Sequence, residues 1–179
     1  MQYPDDTVQC RITTALGDVY LAATPRGLVG LWFAGQCHLP ARLAGVQAWA
    51  TDDAHPVLRA AAEQLRQYLA GARTRFELPL DLSGGTPFQQ SVWRALLDIP
   101  PGATTSYGAL ARQIGMPSAV RAVGAAVGRN PISVVVPCHR VLGGDGGLTG
   151  YAGGIERKKA LLRLEGVSPA SMASPATGG

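Results

Sequence analysis

Three short segments near the start of the chain have the alternating or continuous apolar pattern of β-strands: Val8–Thr14, Asp18–Ala23 and Leu28–Phe33. Gly17 and the sequence Pro25-Arg26-Gly27 separate them, and residues of this kind favour tight turns. The pattern predicts a small antiparallel sheet with hairpin connections. Arg75–Leu80 also has the pattern of a strand, and we expect one more strand there.

Apolar residues recur every three to four positions in the other segments, and this spacing predicts helices. Pro56 to Ala70 has a proline in its first turn and is followed by Gly71, a common helix stop. Thr86-Pro87-Phe88-Gln89 has the pattern of a capping box, which predicts a helix from there to about Leu97. Three further helices are predicted, at Ser106 to Ile114, Ser118 to Val127 and Ile155 to Leu164.

These elements divide the chain into two parts of different character, which together predict an α/β protein. Residues 1–80 are expected to form a domain of one small β-sheet plus a helix, and residues 81–85 are the best linker candidate. Residues 86–166 are expected to form a mainly helical domain, in which two short helices across a tight turn suggest a helix-turn-helix. Residues 167–179 are rich in Ser, Pro, Ala and Gly and are expected to be a disordered tail.

The composition is that of an ordered globular protein. Of the 179 residues, 46% are hydrophobic and 16% are charged, and no stretch approaches the roughly 20 apolar residues that span a bilayer. The first residues lack the basic and apolar regions of a signal peptide. Three scattered cysteines make a disulfide framework improbable, so a cytoplasmic location without membrane attachment is expected.

Charge is distributed unevenly between the two parts. The first 85 residues carry seven basic and eight acidic side chains, whereas the remaining residues carry nine basic and four acidic ones. The basic part also contains Cys138. A basic surface in that part is typical of a nucleic-acid-binding region, although a net charge of +4 alone is ordinary.

The strongest chemical signal is Pro137-Cys138-His139-Arg140, which follows the apolar run Val134-Val135-Val136. Because proline cannot donate to a strand ladder, a buried strand is expected to end here with Cys138 at its tip. The adjacent imidazole and the charge of Arg140 would both favour a thiolate. On these residues alone, most buried cysteines beside a histidine are structural.

Several other motifs surround this cysteine: Thr86-Pro87-Phe88-Gln89-Gln90, Ser106-Tyr107-Gly108, Arg121-Ala122-Val123-Gly124, Asn130-Pro131, Tyr151-Ala152-Gly153-Gly154 and Glu165-Gly166. Together with Pro-Cys-His-Arg they resemble the O6-alkylguanine-DNA alkyltransferase family. The resemblance covers residues 86–166 densely and the N-terminal half in outline. It implies a ribonuclease H-like N-terminal domain, followed by a C-terminal domain with a winged-helix-like helix-turn-helix.

The resemblance implies direct repair of DNA without a cofactor. The Cys138 thiolate would attack the alkyl carbon on guanine O6, and the stable thioether would limit each molecule to one reaction. His139 would reach Cys138 through a water molecule and would be oriented by Glu165. Asn130 would hold the turn beside the active site, and Arg140 is expected to support the site.

The implied partner is double-stranded DNA bearing O6-alkylguanine, bound through the minor groove. Arg121 would enter the base stack after the damaged nucleotide rotates out, while Ala122 and Gly124 let the helix approach the groove. Tyr107, which follows Ser106 at a helix start, would assist that rotation. From composition alone, an Ala/Gly-rich helix is more often one that packs closely against another helix.

By resemblance, the guanine pocket has Tyr151 in its wall and directs the backbone N–H of Ala152 at guanine O6. The carbonyls of Val136 and Cys138 would accept hydrogen bonds from the exocyclic amine. Two positions depart from the family pattern, because Ser133 stands where proline is frequent and Val127 where many bacterial members have asparagine.

No metal is expected, although some relatives bind zinc in the N-terminal domain. Thr24 and Val29 occupy two of the expected ligand positions. A fortuitous tetrahedral set stays open among the remaining candidates, which are Cys10, Cys37, His38 and His55.

Two rival functions stay open. A non-catalytic alkylated-DNA binding protein is the leading alternative, and the presence of Cys138 argues against it. A thiol hydrolase is disfavoured because His139 is adjacent to the cysteine in sequence. A monomer is expected, while cooperative clustering on DNA and the range of alkyl groups are left undecided.

Overall fold

A computed structural model of the chain describes residues 1–167, and its first half forms a four-stranded sheet with the order β3-β2-β1-β4. The strands are β1 (Val8–Thr14), β2 (Gly17–Thr24), β3 (Gly27–Phe33) and β4 (Ala50–Thr51). β1, β2 and β3 pair antiparallel, as predicted, whereas β4 pairs parallel with β1 and was not predicted. Gly17 and Gly27 begin β2 and β3 at φ values of 101° and 144°, a conformation that favours glycine.

Helix α1 (Pro56–Leu69) covers one face of this sheet, and its extent confirms the prediction to within one residue. The helix buries a stripe of side chains spaced three and four residues apart, namely Leu58, Ala61, Ala62, Leu65 and Tyr68. On the other face, Trp32 stacks on Trp49 with 6.3 Å between ring centroids. β3 is therefore buried on both faces, whereas Arg11 and Thr13 of β1 are exposed.

The second half contains four helices, α2 (Pro87–Leu97), α3 (Tyr107–Gln113), α4 (Val120–Gly128) and α5 (Ile155–Leu164). All four were predicted. The capping box of α2 is present, because the Gln89 backbone N–H donates to Thr86 Oγ1 at 3.2 Å and the Thr86 N–H donates to Gln89 Oε1 at 3.0 Å. Two short strands, β5 (Thr105–Ser106) and β6 (Val141–Leu142), pair in parallel and were not predicted.

The strand predicted at Arg75–Leu80 is wrong. The segment touches β3 only through a single bridge between Leu80 and Leu28, where the Leu28 N–H donates to the Pro79 carbonyl at 2.8 Å. Pro79 has no N–H, so a regular ladder cannot continue through it.

The predicted strand Val134-Val135-Val136 is also wrong, although the segment is buried as expected. Val134 has a φ of 71°, which is rare for a β-branched residue, and the Val136 N–H donates to the Ile132 carbonyl at 2.9 Å. The chain therefore turns back on itself, and Cys138–Arg140 follow as a short 3₁₀ turn. A short apolar run has the same composition whether it forms a buried strand or a buried turn.

The two halves share one apolar core, in which Leu31 and Leu65 of the first half join Trp93 and Val136 of the second. The linker placed at residues 81–85 stays a prediction. Val167 was assigned to the tail, but it is buried in a separate small cluster with Leu142 and Leu162, so the folded part extends one residue further. The rest of the predicted tail lies outside the described residues. Within residues 1–167, no helix is both long enough and apolar enough to cross a membrane.

Candidate active site

Cys138 begins the 3₁₀ turn and is almost fully buried, with 4% of its surface exposed. The side chain of Asn130 forms hydrogen bonds both with the turn that precedes Cys138 and with the thiol itself. Asn130 Nδ2 donates to Cys138 Sγ at 3.0 Å and to the Val136 carbonyl at 2.8 Å, while its Oδ1 accepts from the Ile132 N–H at 3.0 Å. The sulfur is thus fixed by a neutral donor that can also stabilise a thiolate.

Burial raises the pKa of the Cys138 thiol, and the hydrogen bond from Asn130 and the positive charge of Lys158 only partly oppose this effect. The resting group at neutral pH is therefore a thiol. Arg140 does not act on the sulfur as expected, because its guanidinium is committed to Glu165 and to the Ile99 carbonyl. Ionisation of Cys138 consequently needs a base that takes the proton when the nucleophile is required.

His139 provides such a base. Its Nε2 lies 3.0 Å from Glu165 Oε1, and both side chains are almost fully buried. Because a carboxylate only accepts, Nε2 carries the proton and Nδ1 is the free basic nitrogen. Nδ1 is buried and has no hydrogen-bond partner among the described residues. Burial lowers the pKa of His139, so the ring is neutral and able to accept a proton.

The carboxylate of Glu165, which follows α5, accepts hydrogen bonds from side chains in α1 and in the 3₁₀ turn. Arg140 donates to it twice, from Nε to Oε2 at 2.9 Å and from Nη2 to Oε1 at 2.7 Å, and Tyr68 Oη donates to Oε1 at 2.5 Å. Burial would raise the pKa of Glu165, but the hydrogen bonds from His139 and Arg140 outweigh it and hold this pKa well below its usual value. The carboxylate therefore stays charged next to the imidazole of His139.

Sequence reasoning missed two residues of this site. Lys158 is fully buried in α5, where its Nζ donates to the Val141 carbonyl at 2.6 Å and the Thr149 carbonyl at 3.2 Å. Burial lowers its pKa to about 8. Lys158 lies three residues before Leu161, on the apolar face of α5. This spacing could have indicated from the sequence that the lysine is buried. Tyr68 carried no comparable signal, since it lies 97 positions from Glu165.

A cleft of about 510 Å³ lies between α4 and the loop before α5, and one of its wall residues, Tyr151, is near enough to Cys138 for the charge of the thiolate to raise the pKa of the tyrosine. It brings together several predicted residues, and its walls include Tyr107, Arg121, Gly124, Tyr151 and Ala152. The side chains of Arg121 and Ala122 are exposed on α4. Cys138 and Val136 are buried and do not line the cleft.

Most of the polar side chains around the cleft already form hydrogen bonds within the protein. Ser106 Oγ accepts from the Ala109 N–H at 3.2 Å and caps α3, and Thr149 Oγ1 donates to Tyr107 Oη at 3.2 Å. Tyr151 Oη is buried without a partner among the described residues. The Val136 carbonyl already accepts from Asn130 and from the Cys138 N–H, so its contact with guanine stays a prediction.

The two positions that depart from the family pattern are both buried. Val127 packs in the core rather than in the cleft. Ser133 lies in the turn before Cys138, where its Oγ is 3.5 Å from Gln36 Oε1.

Two family models match this chain, one to each half. Residues 11–82 match the ribonuclease-like domain of 6-O-methylguanine DNA methyltransferase, and residues 87–167 match the DNA binding domain of the same protein. The chain belongs to the 6-O-methylguanine DNA methyltransferase family.

Individual relatives agree with this assignment. The methylated-DNA–protein-cysteine methyltransferase of Mycobacterium tuberculosis is 49% identical over 154 residues, which cover 86% of this chain and 89% of the relative. That of Mycobacterium leprae is 45% identical and covers 88% and 92%. The crystal structure of Mycobacterium tuberculosis OGT in complex with DNA matches with a TM-score of 0.77 at 45% identity, covering 95% of both chains.

Membership of the 6-O-methylguanine DNA methyltransferase family confirms the resemblance and the fold class that were inferred from the motifs. The described residues contain no group of three or more His, Cys, Asp or Glu side chains arranged to hold a metal ion.

Proposed function

We propose that this protein repairs O6-alkylguanine in DNA by transferring the alkyl group to Cys138 Sγ, once per molecule. The observation that carries the proposal is a buried thiol held by Asn130 at 3.0 Å, next to a histidine that Glu165 orients. The relatives that cover most of this chain bear the name of a methylated-DNA–protein-cysteine methyltransferase. The geometry provides the nucleophile and the base which that reaction needs.

The reaction begins with the proton of the Cys138 thiol. His139 Nδ1 accepts it through a water molecule, and Glu165 stabilises the resulting imidazolium through the hydrogen bond to Nε2. The thiolate attacks the alkyl carbon in line, so that a C–S bond forms while the bond from carbon to guanine O6 breaks. The electron pair goes to the base, which takes up one proton and leaves as neutral guanine.

The surroundings of the sulfur favour the charged nucleophile at the moment of attack. The Asn130 N–H donates to the sulfur, and the positive charge of the buried Lys158 ammonium partly offsets the rise that burial causes in the pKa of Cys138. Both groups are fixed before the reaction, so little reorganisation is needed. The thioether product carries no charge and has no group to displace it, which supports a single turnover.

The damaged base must leave the duplex to meet Cys138, because the sulfur is buried inside the protein. We propose that α4 lies in the minor groove with its small residues Ala122 and Gly124 against the backbone. Arg121 then fills the gap left by the rotated nucleotide, and Tyr107 assists the rotation. Flipping costs a few kcal/mol and is easiest for a base whose pairing is damaged.

Intact-protein mass spectrometry tests the function directly. After mixing with an O6-methylguanine duplex, we expect a gain of one CH2 on the peptide that contains Cys138, saturating at one equivalent of lesion. Tight binding of the lesion with an unchanged mass would instead indicate the non-catalytic binding protein. Continued release of product beyond one equivalent would indicate a hydrolase.

Replacing Arg121 with alanine should slow alkyl transfer from duplex DNA by roughly tenfold or more, since the rotated nucleotide can then fall back into the stack. Transfer from free O6-methylguanine base, which needs no rotation, should be unchanged. Single-turnover rates on the two substrates measure this. Arg59→Ala, which removes an exposed arginine from α1, is the matched control, and an equal loss on both substrates would contradict the role of Arg121.

We also propose that the protein acts as a monomer in a reducing cytoplasm. Its three cysteines, Cys10, Cys37 and Cys138, are all free, and an oxidised Cys138 could not accept an alkyl group.

A further inference from the structure

We infer that Tyr68, on α1 in the first half of the chain, is a positioning residue for the Cys138–His139–Glu165 relay. The inference rests on the proposed function, and it gives the first half of the chain a part in the reaction rate as well as in folding. Its basis is the hydrogen bond from Tyr68 Oη to Glu165 Oε1.

Glu165 Oε1 is the oxygen that orients His139, and three donors converge on it. Tyr68 Oη lies at 2.5 Å, Arg140 Nη2 at 2.7 Å and His139 Nε2 at 3.0 Å. Tyr68 therefore makes the shortest contact to the oxygen on which the tautomer of His139 depends. A charge-assisted hydrogen bond of this length is a strong one.

The other donors to this carboxylate all come from the second half of the chain. Arg140 and His139 belong to the same 3₁₀ turn, Arg140 also donates to the Ile99 carbonyl, and the Gly102 N–H donates to Glu165 Oε2 at 3.4 Å. Tyr68 comes from a separate element, and its ring is 2% exposed and packs against Phe76 with 5.2 Å between centroids. The carboxylate is thus held from the α1 side as well as from the turn.

The hydroxyl also affects the basicity of His139. By donating to Oε1, Tyr68 draws negative charge away from the oxygen that faces His139 Nε2. Without it, Oε1 would interact more strongly with the imidazolium, so the pKa of His139 would rise. The other charged groups that act on His139, Arg140 and Lys158, both lower its pKa and would be unaltered.

Tyr68→Phe removes the hydroxyl and keeps the ring. We expect the single-turnover rate of alkyl transfer at saturating lesion DNA to fall by about tenfold, the size of effect typical of losing one hydrogen bond to a charged group. Because His139 must be neutral to accept the proton, the acidic limb of the pH–rate profile should move to higher pH. Affinity for lesion DNA should be unchanged.

Phe76→Leu is the matched control, since it disturbs the same packing without touching the hydroxyl, and it should leave the rate and its pH profile unchanged. A double-mutant cycle gives a second criterion: in a Glu165→Gln background whose circular dichroism shows that it is folded and whose residual rate is measurable, Tyr68→Phe should slow the reaction less than it slows the wild type.

Equal behaviour of the two single variants, or an unmoved pH profile, would overturn the positioning role. A wild-type protein that is never alkylated would overturn the proposed function instead.

Discussion

Replacing Cys138 with alanine is expected to abolish alkyl transfer completely and to leave binding of lesion DNA intact. The sulfur is the acceptor, and the other thiol near the DNA site, Cys37 in the wall of the cleft, lacks the hydrogen bond that Asn130 gives to Cys138. Cys10 is a poor substitute because burial raises its pKa to about 11, and it lines a different groove between β1 and α1. The cleft residues that would bind DNA are untouched by the change. Mass spectrometry and a binding titration with the same O6-methylguanine duplex measure both properties.

The matched control for Cys138→Ala is Cys10→Ala, which removes another buried thiol and should still gain one methyl group per molecule. Residual methylation of the Cys138→Ala protein would show that a different residue accepts the alkyl group. Loss of lesion binding would show that Cys138 contributes to the architecture of the cleft as well as to the chemistry. The first result would contradict the prediction that Cys138 is the alkyl acceptor, and the second would contradict the prediction that it has no further role in the site.

Most of the secondary structure follows from local sequence because each of those elements carries its own boundary signal. Thr86 with Gln89 marks the start of α2, and Gly17 and Gly27 mark the starts of two strands. The segments before Leu80 and around Val134 carry apolar residues without such signals. Their shapes depend on Pro79 against β3 and on the bridge between Ile132 and Leu31, which are contacts between distant parts of the chain.

In the candidate site, as in the fold, local motifs predicted which residues come together, but they did not predict contacts that depend on distant parts of the chain. The motifs correctly placed Cys138, Asn130, His139 and Glu165 in one neighbourhood. They did not give the direction of Arg140, because adjacency in sequence does not show where a side chain points. In the folded protein its guanidinium faces Glu165, and the cation that acts on the sulfur is Lys158.

Replacing Glu165 with alanine is expected to have the largest effect on stability, about 3–5 kcal/mol off the free energy of unfolding. The change leaves the guanidinium of Arg140 buried without a counter-charge and removes acceptors from Tyr68 and His139. Urea unfolding at pH 7 measures the loss. The control is Glu156→Ala in α5, the helix that Glu165 directly follows. The Glu156 side chain is 84% exposed in a surface pair with Lys159, so its removal should change the free energy of unfolding by less than about 1 kcal/mol.

The pH dependence of the Glu165→Ala effect separates the charge from simple packing. The pKa of Glu165 is held well below its usual value, so its stabilisation is fully present above the unfolded pKa of about 4.3 and is lost as the pH falls below it. The lowered pKa of His139 makes both proteins less stable below about pH 6.5, and the variant more so, because it lacks the carboxylate that raises this pKa. The gap in unfolding free energy between wild type and Glu165→Ala should therefore narrow only as the pH is lowered from about 5 towards 3, where Glu165 itself loses its contribution. A gap that stays constant over that range would mean that Glu165 acts through its volume, and the ionic account of this site would be wrong.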